Sequence, residues 1–185
     1  MAAGAAIPGL FFVFAAMVLL IFASVSSPTW NSISYLDADG TNFGVFGFTG
    51  SQTHVGWFFP GNLGDSRLNG HTFHGLTEAL ILIPIAAGLS GLAFLFGLCG
   101  AGYHRAGTVF MSLVSALAFL ITLVGWVIEM VLFGVARDHM RSRGINAVWG
   151  NANWLVLGAL ISLFVGFVFA TCGIFGSYRA RRTAY

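Results

Sequence analysis

The sequence contains no lysine, and Asp, Glu, Lys and Arg together make up only 8% of its 185 residues. Soluble domains carry about 25%, so a surface that faces water throughout is excluded. The charges are also absent over long stretches: before Asp37, from Glu78 to Arg105, from Arg105 to Glu129, and from Arg143 to Arg179. Cysteine occurs only at Cys99 and Cys172. Neither lies in the long polar stretch after the first apolar run, so nothing staples that stretch covalently. No GxSxG, no P-loop and no usefully spaced carboxylate pair is present, which speaks against an enzyme and against a bound cofactor. A net charge of +2 without a basic run gives no nucleic-acid partner.

What the sequence does have is apolar length. Hydrophobic residues make up 57% of it, and they gather in four runs at about 7–25, 79–99, 107–133 and 154–175. A helix needs about 20 apolar residues to cross roughly 30 Å of hydrocarbon. Backbone groups in lipid must be satisfied within the segment, so the runs predict helices, and their continuity excludes a β-barrel. We expect an all-α membrane fold, a four-transmembrane-helix bundle in one domain over residues 1–185. Its loops are expected at about 26–77 and 134–152, with a small extracellular β-sheet in the first. The first run has a rival reading as a cleaved signal, with Ala23-Ser-Val25 as a weak cleavage site. It lacks a basic leading region, and Pro8 stands near its start.

Charge alone leaves the orientation tied. With both termini inside, Arg105, Arg179, Arg181 and Arg182 are cytoplasmic, against Arg67, Arg137, Arg141 and Arg143 on the other side. The tail arginines lie close to a span, and Arg67 sits in a long loop where charge counts less. Both termini are therefore expected in the cytoplasm.

Within the first loop, Trp30–Leu36, Thr41–Phe48 and His54–Phe59 read as strands, and Asp39-Gly40 between the first two is a hairpin signal. Gly61–Gly70 reads as turns. The third run continues without proline to Arg143, and Gly144 fits a C-terminal cap. That helix outreaches the hydrocarbon, and Asp138 and Arg141, three apart, are placed to pair in water.

Glu129 is the most informative single residue, an acid inside an apolar span. Two readings stay open, a proton or ion site and a polar contact between helices. Glu78 opens the second span, where a helix N-terminus favours negative charge. His54, His71 and His74 fall in the first loop. The spacing of His71 and His74 is metal-like, but no Cys or HExxH partner accompanies it, so no metal is expected. A pH-responsive loop and plain solvation are the remaining readings. Cys99 and Cys172 sit at span ends, where lipidation and simple apolar packing both apply. The pairs Ala87/Gly91 and Ser112/Ala116 suit close helix approach, within the bundle or between copies. Trp30, Trp149 and Trp154 suit interfacial belts.

Three stretches carry a family resemblance. They are Ser26-Ser-Pro-Thr-Trp30, Asn42-Phe-Gly-Val-Phe-Gly-Phe48, and Ile128-Glu-Met-Val-Leu-Phe-Gly-Val-Ala-Arg137 with Trp149-Gly-Asn-Ala-Asn-Trp-Leu155. In order and spacing the chain resembles the fungal PalI-type tetraspans, relatives of the eisosome tetraspans and, more remotely, of claudins. The resemblance implies a plasma-membrane protein with cytoplasmic termini and a β-containing, claudin-like first extracellular loop. It implies either assistance to an ambient-pH sensing complex or organisation of cortical membrane domains. Thr49 stands where the family often has Cys, so the family's loop disulfide is not available here. Family members of the PalI type often carry a long cytoplasmic tail, and only ten residues follow Phe175.

The expected function is lateral contact with membrane lipids and other integral membrane proteins, among them a pH-sensor complex, with a homo-oligomer also in view. Glu129, Arg137, Phe43, Gly44, Phe46, Gly47 and Trp154 are the expected structural or interaction residues. The alternative is a subunit of an ion or proton transporter or channel.

Overall fold

The computed structural model describes residues 6–61, 63, 68, 70–102 and 105–182. Its helices are α1 (Ala6–Ser24), α2 (His71–Ala79), α3 (Leu82–Gly102), α4 (Arg105–Ser142) and α5 (Ala152–Arg182). Its strands are β1 (Leu36–Ala38), β2 (Thr41–Phe43) and β3 (Ala147–Trp149). Among the described residues, four stretches are long and apolar enough to cross a membrane: Ile7–Ser24, His71–Gly100, Gly107–Ser142 and Ala152–Thr171. The helices form a ring in which α1 packs on α3 and α5, and α4 packs on α3 and α5.

Each helix turns one narrow seam inward. On α1 it is Gly9, Val13, Ala16, Leu20 and Ala23, and on α4 it is Met111, Ser115, Ala118, Thr122, Gly125, Glu129, Leu132 and Ala136. Steps of three and four alternate, which is the 3.5-residue period of left-handed bundle packing. Small residues dominate these positions. In lipid there is no hydrophobic drive between helices, so close backbone approach supplies the packing. Of the predicted close-approach pairs, Ala87 is buried, whereas Gly91, Ser112 and Ala116 lie beside the seams. The outward faces are apolar. On α4 the exposed stripe runs from Leu113 through Leu117, Leu120, Val124, Val127 and Val131 to Val135. That is about 33 Å at 1.5 Å per residue, the thickness of a hydrocarbon core. The 38 residues of α4 make about 57 Å, so its last turns stand beyond the lipid.

The predicted stop at Gly144 is present. Gly144 has φ +81°, its N–H donates to the Arg141 carbonyl at 3.0 Å, and the Ile145 N–H donates to the Met140 carbonyl at 3.0 Å. This is the double hydrogen bond of a Schellman cap. The Asp39-Gly40 hairpin is also present, with φ +50° and +81° and Ala38 facing Thr41. Two consecutive positive φ values define the turn type whose twist matches the strands it joins.

Other expectations are corrected. The sheet order is β2-β1-β3, antiparallel throughout, and its third strand comes from the second loop, not from His54–Phe59. That segment cannot run straight, because Gly56 takes φ +70° and Pro60 follows. The Thr77 hydroxyl instead donates to the Trp57 carbonyl at 3.1 Å. Of the first predicted strand, Trp30–Leu36, only Leu36 lies in a strand, β1, since the Ser27 N–H donates to the Ile33 carbonyl at 3.0 Å and curls the chain before it. The second ends at Phe43, where Gly44 turns away and its N–H donates to the Gly47 carbonyl at 2.7 Å. Residues 71–77, expected in the loop, belong to α2. Pro84 supplies the break between α2 and α3, because it has no N–H to offer the Leu80 carbonyl. Most of the predicted turn segment 61–70, including Arg67, lies outside the described residues.

Candidate functional site

The sheet is fastened to the bundle at residues 149–153. The Gly150 N–H and the Asn153 side-chain amide both donate to the Tyr35 carbonyl, each at 2.9 Å. The Ala152 N–H donates to the Ser34 carbonyl at 2.9 Å. Asn151 works in both directions: its Oδ1 accepts from the Ser34 N–H at 3.1 Å, and its Nδ2 donates to the Ser32 carbonyl at 2.9 Å. A Cβ on Gly150 would overlap the Ser34 carbonyl, so only glycine allows the two segments to close. Gly44 has the same role at the other side of the sheet, against the Ser27 carbonyl. Ser26 there accepts from the Val45 N–H at 3.0 Å. Thr49, in the place of the expected Cys, holds the hairpin through its N–H to the Asn42 carbonyl at 2.9 Å. Its hydroxyl accepts from the Asn42 N–H at 3.2 Å.

Under the sheet lies an aromatic layer. Phe43 is fully buried and contacts Trp57 and Phe59, each with ring centroids at 5.4 Å. Trp57 stacks on Phe133 at 6.5 Å, and Tyr35 stacks on the same ring at 5.4 Å. The Tyr35 hydroxyl donates to the Ala23 carbonyl at 3.3 Å. Burial pushes the Tyr35 phenol well above its ordinary value, and the Glu129 carboxyl adds to the effect.

Glu129 is fully buried on the inner seam of α4, about 9 Å along the axis inside Val135. Neither of its carboxyl oxygens has a hydrogen-bond partner among the described residues. The Nε1 atoms of Trp57 and Trp126 and the Oδ1 of Asn153 share that condition. Trp126 lies one turn before Glu129 on α4 and Phe133 one turn after. Phe133 carries Trp57 and Tyr35, and Tyr35 is held by Asn153.

The other predicted residues divide. Arg137 lies over the Trp149 ring at 5.8 Å and pairs with Asp138 at 3.4 Å. Arg141 does not pair with Asp138; its Nε donates to the Ala147 carbonyl at 2.9 Å, because β3 presents an acceptor that holds more firmly than a solvated acid. Phe46 is half-buried against the core and Gly47 is buried at φ +149°. Trp154 is 66% exposed on the first turn of α5, so it takes no part in the aromatic layer. His54 is exposed and lies 2.9 Å from the Gln52 carbonyl. His71 and His74 lie on α2, not in an open loop. His74 packs on Phe58 at 4.3 Å and reaches Glu78 at 3.6 Å, which places Glu78 at the end of α2 rather than at the start of a span. Among the described residues no cluster of His, Cys, Asp or Glu could hold a metal. Cys99 is exposed near the end of α3, and the side chain of Cys172 lies outside those described.

Sequence reasoning missed Tyr35, Trp57, Asn151 and Asn153. Two asparagines around the first turn of an apolar helix were the available signal, since a side-chain amide there reaches neighbouring backbone.

The SUR7/PalI family profile matches residues 5–169. The chain is also similar to the uncharacterized membrane protein TOS7 of Saccharomyces cerevisiae, with 34% identity over 89 residues. The match covers 44% of this chain and 16% of that protein's length.

Proposed function

This chain belongs to the SUR7/PalI family, and on that premise we propose that it is a plasma-membrane tetraspan acting by lateral contact with other integral membrane proteins and lipids. The contact serves ambient-pH sensing or cortical membrane-domain organisation, as scaffold or accessory. The family is not known for enzymes. The observation that carries the reading is the clamp between Ser32–Tyr35 and Gly150–Asn153. It makes sheet and bundle one rigid body, which is what a docking platform requires.

In this reading both termini are cytoplasmic and the sheet is extracellular. Trp154 and Trp30 sit at the outer interface. Cys99 lies at the inner one, where lipidation of it, and of Cys172, would hold the protein in ordered domains. Of the three histidines taken as pH-responsive, His74 is the one held between two partners, Phe58 and Glu78. Self-association is a further use of the apolar outer faces.

The transporter or channel alternative needs Glu129 on a lumen shared between copies. Glu129 faces its own bundle instead, and at the other end Val13, Ala93 and Met111 pack into an apolar plug with Leu10, Phe94 and Val114. Crosslinking and mass spectrometry of the full chain in its native membrane tests the proposal. Reproducible recovery of integral membrane proteins, reduced by Gly150→Ala, is expected. Proton or ion flux in vesicles reconstituted with the pure chain would overturn it.

A further inference from the structure

We propose that Arg137 and Arg141 form a binding site for the phosphate of a phospholipid in the leaflet on the sheet's side of the membrane. The two residues are four apart on α4, so their side chains leave one helix face with Cβ atoms about 5–6 Å apart. Both are directed at β3. The Arg137 guanidinium lies over the Trp149 ring at 5.8 Å, and the Arg141 Nε donates to the Ala147 carbonyl at 2.9 Å. Ala147 and Trp149 are two residues apart on that strand, about 7 Å by its rise. Helix and strand together set the two guanidiniums side by side, at a spacing that the oxygens of one phosphate can bridge.

Depth selects the ligand. The exposed apolar stripe of α4 ends at Val135, and Arg137 and Arg141 follow by about 3 and 9 Å along the axis. The stripe has the length of a hydrocarbon core, so these side chains stand in the layer just outside it, where lipid headgroups lie. Trp154, exposed on the first turn of α5 just after β3, suits the same layer. The donors fit as well. Each guanidinium presents a flat fork of N–H groups that matches phosphate oxygens in pairs. Arg141 gives its Nε–H to Ala147 and keeps the outer N–H groups of its fork. Arg137 meets Asp138 at 3.4 Å, a long bond to a side chain that is 77% exposed. Asp37 faces Val148 and so lies on the other side of the sheet from Trp149, where its Oδ1 accepts from the Gly40 N–H at 3.2 Å. Positive charge is therefore left for an anion between α4 and β3. Every phospholipid brings a phosphate to this depth, whereas an acidic side chain arrives only with a particular neighbour.

The test is native mass spectrometry of the full chain released from nanodiscs of phosphatidylcholine or of an uncharged galactolipid. Phosphatidylcholine retained on the chain is expected, and galactolipid is not. Arg137→Gln, which leaves the Arg141 bond to Ala147 in place, should weaken retention about tenfold or more, the worth of one charge-assisted contact. Arg137→Lys keeps the charge without the fork and should fall between the two. Arg143→Gln, at a residue whose Nη1 donates to the Leu63 carbonyl at 3.4 Å, should retain the lipid. Equal retention by wild type and Arg137→Gln would overturn the proposal. So would displacement of the lipid by inorganic phosphate, the mark of a free-anion site. Unchanged retention together with lost crosslinking to a membrane protein would assign the arginines to an acidic partner and overturn it too. If near-ultraviolet circular dichroism shows the glutamine variant unfolded, Arg137→Lys decides alone.

Discussion

The side-chain amide of Asn153 donates to the backbone carbonyl of Tyr35 at 2.9 Å, across 118 residues of sequence. One bond thus ties the start of the fourth span to the residue that precedes β1 in the first loop. The Gly150 N–H shares the same acceptor, so the carbonyl is saturated and the crossing is fixed at a point.

Asn153→Ala removes that donor while Gly150 remains. A loss of about 1–2 kcal/mol is expected, the range for a buried hydrogen bond with a partner left under-satisfied. Thermal unfolding in micelles, followed by near-ultraviolet circular dichroism of the aromatic layer, measures it. Asn151→Ala should cost less for each bond, since its two bonds, to the Ser34 N–H and the Ser32 carbonyl, are part-buried and exposed.

Gly44→Ala and Gly150→Ala place a methyl group on the Ser27 and Ser34 carbonyls. Both are expected to destabilise by more than 2 kcal/mol, as overpacking against backbone does. Gly75→Ala on α2 meets nothing within 4 Å and should stabilise by about 0.5–1 kcal/mol through helix propensity. Melting temperatures of the three variants should fall on opposite sides of the parent.

Tyr35 gives a pH dependence at the alkaline end. Its phenol is raised in the folded protein by burial, then by Glu129, so the folded state holds the proton more tightly than the unfolded one. Stability is fully present below the unfolded value of about 10 and is lost as pH rises through the folded value. Tyr35→Phe should remove that alkaline loss and, at neutral pH, cost about 1 kcal/mol for the bond to the Ala23 carbonyl. Denaturant midpoints between pH 8 and pH 11 compare the two proteins.

Arg141→Ala should weaken the second loop more than Arg137→Ala. Arg141 bonds the Ala147 carbonyl at 2.9 Å, a charge-assisted bond of about 1.5–3 kcal/mol. Arg137 offers a half-exposed contact with Trp149, worth about 0.5–1 kcal/mol. Hydrogen exchange at the amides of β1 and β3 reports the difference.

The spans were legible because lipid imposes a length and a composition on any run that crosses it. The Asp39-Gly40 turn and the Gly144 cap were legible because backbone conformation at those positions restricts the residue type. The β3 strand was not, since Ala147-Val-Trp149 is too short to show alternation and pairs with residues from the first loop. The α2 helix was hidden because His71-Thr-Phe-His-Gly reads as polar loop, and tertiary contacts to Phe58 and Trp57 override its propensity. The predicted Asp138–Arg141 pair failed for the same reason. Glu129 was visible at once as an acid among apolar residues, but its full burial on the inner seam of α4 depends on the packing of the other helices, which no local pattern records.

The long α4 helix has a mechanical consequence. Because a single unbroken rod starts at the far side of the lipid and ends under β3, the sheet is held at one fixed elevation above the bilayer. A neighbour that meets this face must carry its own contact surface at that height, so bilayer thickness itself becomes part of what selects the company the protein keeps.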